Sequence, residues 1–162
     1  MIETCGRKRI TPSFLNIALW QMAFDPVHTD RIIIVIAMMI NIYAAWIGFL
    51  LGCVAGAIPG LFFHGEDWLG GYTSWPRRMI RLGHIAFFGI GFLNLAFGLT
   101  SLMLGIKSGL TMPSSLFIVG AVAMPVVCYM SAWKSYFRHI FFIPALSVTT
   151  AIVLFFWRML SI

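Results

Sequence analysis

Acidic side chains are almost missing from this chain. Five Asp or Glu occur in 162 residues, at Glu3, Asp25, Asp30, Glu66 and Asp67, and none falls inside a long apolar run. A carboxylate proton relay or a cation-coupled transport site within the apolar runs is therefore unsupported. Charge of either sign is scarce, at 10% of residues against about 25% in soluble domains. The three cysteines, Cys5, Cys53 and Cys128, form no CxxC and no Cys/His zinc spacing, so neither a disulfide framework nor a zinc module is indicated. A Ser/His/Asp arrangement and a phosphate-binding loop are lacking, and no catalytic activity of its own is expected. The beginning lacks the form of a signal peptide. The apolar stretch after Arg7, Lys8 and Arg9 is broken by Asn16 and Gln21, and no small-x-small site ends it.

What fills the chain instead is apolar. Hydrophobic residues make up 60%, more than a water-soluble fold of this size could hide, and the class is a polytopic membrane protein. The net charge of +6 does not mark a nucleic-acid partner, because the basic residues flank apolar runs and suit lipid headgroups. The expected fold is all-α, an integral membrane four-helix bundle preceded by an N-terminal interfacial helix.

Residues 1–30 form the N-terminal segment. Thr11-Pro12 reads as a cap and first helical position, and Phe14, Leu15, Ala18, Leu19 and Met22 share one face, with Trp20 at headgroup level. Asp25-Pro26 is expected to end that helix and Thr29-Asp30 to cap the next. Asp25, His28 and Asp30 could be weighed as a metal site, but a polar turn explains them better. Residues 31–162 form the membrane domain, with spans expected at about 31–57, 77–106, 113–133 and 139–158. Pro59-Gly60 should break the first. Ser74 with Pro76 reads as the cap and start of the second, Pro125 should kink the third, and Thr150 should face inward on the fourth.

Two faces of small residues stand out. Gly48, Gly52 and Gly56 form a tandem small-xxx-small motif with Ala37, Asn41 and Ala44 on the same side, which lets a neighbouring backbone approach closely. Packing within the chain is preferred to dimerisation, with Asn41 bonding across helices. In the second span His84, Gly91, Gly98 and Gly105 recur every seven residues, with Asn94 and Ser101 between them. Seven residues is two helical turns, so these make one seam.

Four spans place His64, His84, Cys128 and His139 at the membrane surface opposite the termini. Two imidazoles on facing helices, His84 and His139, would ligate a b-type haem axially. Arg81 and Arg138 are placed to pair with its propionates, and Gly91 and Gly98 would leave room for the macrocycle. Copper(I) held by Met124, Cys128, Met130 and His139 is a weaker idea, since Met and Cys are ordinary core residues. The bland reading stands beside these: interfacial histidines often bond a carbonyl or headgroup, and glycine seams usually mean close helix packing.

Over about residues 81–105, Arg81-Leu82-x-His84 followed by Gly91 and Asn94 resembles the second helix of subunit I of the haem–copper oxidases. The resemblance implies His84 as an axial ligand of a low-spin haem near the outer membrane face. The family's copper-site histidines have no counterpart here, so an oxygen-reducing centre is not expected, and His139 as second ligand rests on topology alone. Two functions follow as expectations. One is a haem-binding electron-transfer or accessory module of a respiratory complex. The other is a cofactor-free structural or assembly partner of a larger membrane complex. Both imply the lipid bilayer and other membrane subunits as partners. Basic residues divide almost evenly, with Arg7, Lys8, Arg9, Arg31, Lys107 and Arg158 against Arg77, Arg78, Arg81, Lys134 and Arg138. We read the termini as cytoplasmic, in a bacterial inner membrane.

Overall fold

A computed structural model of the chain describes residues 26–62 and 64–161. The expected interfacial helix, and Asp25 of the weighed metal site, lie outside the described residues. Four helices follow in order: α1, Pro26–Phe62; α2, Trp75–Met103; α3, Thr111–Trp133; and α4, Phe142–Leu160. Short 3₁₀ turns at Trp68–Gly70 and Ser135–Ile140 precede α2 and α4. No strand occurs among the described residues, and the fold is an all-α four-helix bundle. Four segments are long and apolar enough to cross a membrane: Ile32–Phe62, Trp75–Met103, Thr111–Trp133 and Ser135–Leu160. The chain is an integral membrane protein whose exposed Ile, Leu, Phe and Val suit lipid.

Several boundaries differ from expectation, each for a local reason. α1 begins at Pro26, so Thr29 and Asp30 already lie within it rather than capping it. Pro59 also lies inside α1 and does not end it. The proline deprives only the Ala55 carbonyl of its helical donor, and the helix runs one further turn. At a rise of ~1.5 Å per residue, the 37 residues of α1 reach about 55 Å, well beyond ~30 Å of hydrocarbon.

α2 starts as read: the Ser74 side chain accepts a hydrogen bond from the Arg77 backbone N–H at 3.4 Å, with Pro76 in the first turn. Its end is earlier than expected. Gly105 does not continue the seam; it takes φ +60° and closes the helix. The Gly105 N–H bonds to the Leu102 carbonyl and the Ile106 N–H to the Ser101 carbonyl, both at 3.2 Å, the paired arrangement of a Schellman motif. Ile106 then tucks into the core.

The helices pack as successive antiparallel neighbours, with α1 also meeting α3. The tightest seam is α1 with α2, and it is reciprocal. Phe49 and Ile42 of α1 fill the notches at Gly91 and Gly98, where an added Cβ would come within 2.7 Å of each. Phe88 and His84 of α2 fill the notches at Gly52 and Gly56. Gly48 lies against backbone, its Cβ position 3.3 Å from the Phe87 carbonyl. The tandem glycines are therefore consumed within the chain.

Buried polar groups cross-link the interior. Asn41 donates to the Ala37 carbonyl at 2.7 Å and to the Ser114 hydroxyl of α3. Asn94 donates to the Ile90 carbonyl at 2.9 Å and to the Phe117 carbonyl at 3.4 Å. In a hydrocarbon setting such bonds contribute about 0.6 kcal/mol each on average. An apolar cluster of Ile34, Met38, Phe97, Ile106, Leu110, Phe117 and Ala151 fills the half nearer the termini. Pro125 is buried within α3.

α4 is held most lightly. It buries Pro144, Ser147 and Ala151, a stripe that leaves Thr150 exposed rather than inward. Val148 enters the notch at Gly120, and the Ser147 hydroxyl donates to the Leu116 carbonyl at 2.7 Å. Arg158 reaches the Ser108 carbonyl at 2.9 Å and the Ser108 hydroxyl, clipping α4 to the α2–α3 turn.

Candidate functional site

Arg77, Arg81 and His84 follow one another at helical spacings of four and three, so they rise along one side of the first turns of α2. The connection before α2 folds back over them. Leu69, Gly70 and Gly71 all take positive φ, at 55°, 83° and 87°. Two of the three are glycine because that backbone region is nearly barred to side chains. This turn sets Trp68 and Tyr72 around the arginines. The Arg77 guanidinium lies 5.7 Å from the Trp68 ring centre and 5.6 Å from that of Tyr72. Arg77 is buried and donates to the Glu66 carbonyl at 3.4 Å. Arg81 lies 4.3 Å from the Tyr72 ring centre and donates to the Tyr72 carbonyl at 3.2 Å. Such contacts hold the cations at the headgroup level.

His84 is half-buried between α1 and α2. Its Nδ1 stands 2.9 Å from the Gly52 carbonyl oxygen. A carbonyl can only accept, so Nδ1 carries a proton, and in the neutral ring the lone pair is on Nε2. Phe88 presents its ring at 79° to the imidazole, 5.3 Å between centres. Beside the imidazole opens a groove of about 260 Å³ lined by Ala55, Gly56, Pro59, Ile80, Arg81, His84 and Ile85. It is an apolar slot carrying one cation and one imidazole.

The structure brings Arg81 and His84 together. Arg138 and His139 form a second pair, in the exposed turn Ser135–Ile140, where Arg138 Nε donates to His139 Nε2 at 3.4 Å. That turn packs chiefly on α3 and α4, and the Tyr136 ring lies 6.0 Å from His139. Of the two pairs, Arg81 and His84 line the groove and Arg138 and His139 do not. The room expected at Gly91 and Gly98 for a macrocycle is taken by Phe49 and Ile42, so helix packing is what Gly48, Gly52, Gly56, Gly91, Asn94 and Gly98 serve.

His64 is exposed and bonds the Leu61 carbonyl at 3.0 Å. Cys128 is buried against Gly83 while Met130 is exposed, which separates the thiol from part of the copper set. Among the described residues no group of three His, Cys, Asp or Glu is placed to hold a metal ion. Trp75, whose indole N–H reaches the Ser131 carbonyl at 2.9 Å, was not singled out from the sequence as a site residue. It ties the start of α2 to the end of α3. No family model, no curated protein and no solved structure matches the chain.

Proposed function

We propose that the chain is a small haem-binding membrane module, serving electron transfer or accessory work in a respiratory complex. The observation that supports this reading is the bond from His84 to the Gly52 carbonyl. Histidines that ligate a metal commonly donate their other ring N–H to such an acceptor, which fixes the tautomer and leaves Nε2 as the ligand. Arg81, on the same groove, is the group that would pair with a haem propionate. The donor chemistry thus fits such a group: His84 would hold the iron and Arg81 a propionate. Arg138 and His139 do not line that groove and are given no part in it. When bound, the haem supplies one-electron chemistry; the chain supplies the imidazole, the cation and the apolar wall. Termini in the cytoplasm of a bacterial cell, with the groove toward the outer face, complete the reading.

A second reading is favoured by the fit of the same ring over Gly56. Here His84 is a clasp between helices and the protein is a cofactor-free partner of a larger membrane assembly. The broad exposed face of α4, with Phe142, Leu146, Val153 and Phe156, would lie against the other subunit.

Spectra of the protein purified from haem-supplied cells decide between them. The module reading expects a Soret band that is lost in His84→Ala and in His84→Gln, while both variants still insert. A colourless wild-type protein, with stability lowered in His84→Ala and recovered in His84→Gln, would replace it with the clasp.

A further inference from the structure

The α1–α2 seam opens a second groove at the other membrane surface, remote from His84. It holds about 240 Å³. Ile34, Val35, Met38 and Leu102 give it apolar walls, and Lys107 stands at its rim. Ser101 also lines it. That residue is fully buried, and its hydroxyl has no hydrogen-bond partner among the described residues. Lys107 is exposed and makes no ion pair among the described side chains. It follows directly on the Schellman turn at Gly105, which fixes where the cation stands relative to the slot.

We propose that this groove is a specific site for one anionic phospholipid. The chemistry of the lining selects that class. An apolar slot continuous with the lipid-facing surface of two helices takes a stretch of acyl chain. A lysine at the depth where the helix ends meets the phosphate, because an ammonium near the surface attracts anionic headgroups. The buried Ser101 hydroxyl offers a donor to an ester oxygen, which a bare hydrocarbon would leave unmet. A free phosphate ion would use Lys107 and nothing else in the slot.

Native mass spectrometry of the full chain, released from micelles carrying phosphatidylglycerol or phosphatidylcholine, tests this. Wild type is expected to keep one phosphatidylglycerol per chain and to keep phosphatidylcholine less. Lys107→Gln is expected to weaken phosphatidylglycerol retention about fivefold. Val35→Trp, at an exposed wall position, is expected to reduce it by blocking the slot. Lys134→Gln, on the opposite surface, should leave it unchanged. Equal retention of the two lipids, or unchanged retention in Lys107→Gln, would overturn the proposal. Displacement of the lipid by millimolar inorganic phosphate would also overturn it, marking a phosphate site instead.

Discussion

The imidazole of His84 occupies the space over Gly56 where a side-chain carbon would otherwise stand. The ring is thereby pinned between α1 and α2, with its Nδ1 on the Gly52 carbonyl. The contact that orients the ring also closes that end of the seam.

Replacing Gly56 by Ala is therefore expected to destabilise the bundle by about 1–3 kcal/mol, the cost of overpacking a filled site. Gly52→Ala should behave alike, since its Cβ would come within 2.7 Å of the Phe88 ring. Gly60→Ala meets nothing within 4 Å and serves as control. Reversible unfolding in mixed micelles measures all three, and a neutral Gly56→Ala would deny that the notch is full.

Two further glycines should respond with opposite signs. Gly105 sits at φ +60°, so Gly105→Ala forces a side chain into the left-handed region and is expected to cost about 1 kcal/mol. Gly89 lies within α2 with open space around it, and Gly89→Ala should stabilise by about 0.5–1 kcal/mol through helix propensity. Melting temperatures that shift the same way for both would contradict the assigned end of α2.

Asn41 and Ser114 should be coupled. A double-mutant cycle with Asn41→Ala and Ser114→Ala is expected to return an interaction of about 0.5–1.7 kcal/mol, the range for bonds between membrane helices. Strict additivity would mean that their hydrogen bond carries no net weight.

Four spans put residues 64 and 107 on opposite surfaces. In a background with Cys5, Cys53 and Cys128 replaced by Ser, His64→Cys and Lys107→Cys should label from opposite sides with a membrane-impermeant maleimide. Labelling from one side would break the four-span topology.

How much of this was legible in the sequence depends on what each residue has to say locally. Gly48, Gly52, Gly56, Gly91 and Gly98 declared their faces, because small residues four or seven apart can only line one side of a helix. Asn41 and Asn94 declared theirs, because an amide cannot face lipid unpaired. The partners were silent. Phe88, Phe49 and Ile42 are as apolar as their lipid-facing neighbours, and nothing in the pattern says which of them fills a notch. Gly105 kept the seven-residue period yet does the opposite job, since periodicity carries no mark of where a helix stops. The acceptor of the His84 proton is a backbone carbonyl, which has no letter in the sequence. The hold of Tyr72 on Arg81 needs the positive-φ turn at Leu69, Gly70 and Gly71 before the two can meet.

The light attachment of α4 has a mechanical consequence. Pulled from the C-terminal end, the chain loads first the Arg158 clip to Ser108, and then a helix that buries only Pro144, Ser147 and Ala151. α1 and α2, locked notch by notch along their length, bear none of that force until α4 has gone. Extraction should therefore begin with a separate low-force step that frees the 19 residues of α4, about 65 Å of extended chain, and leaves the α1–α2–α3 unit seated in the bilayer.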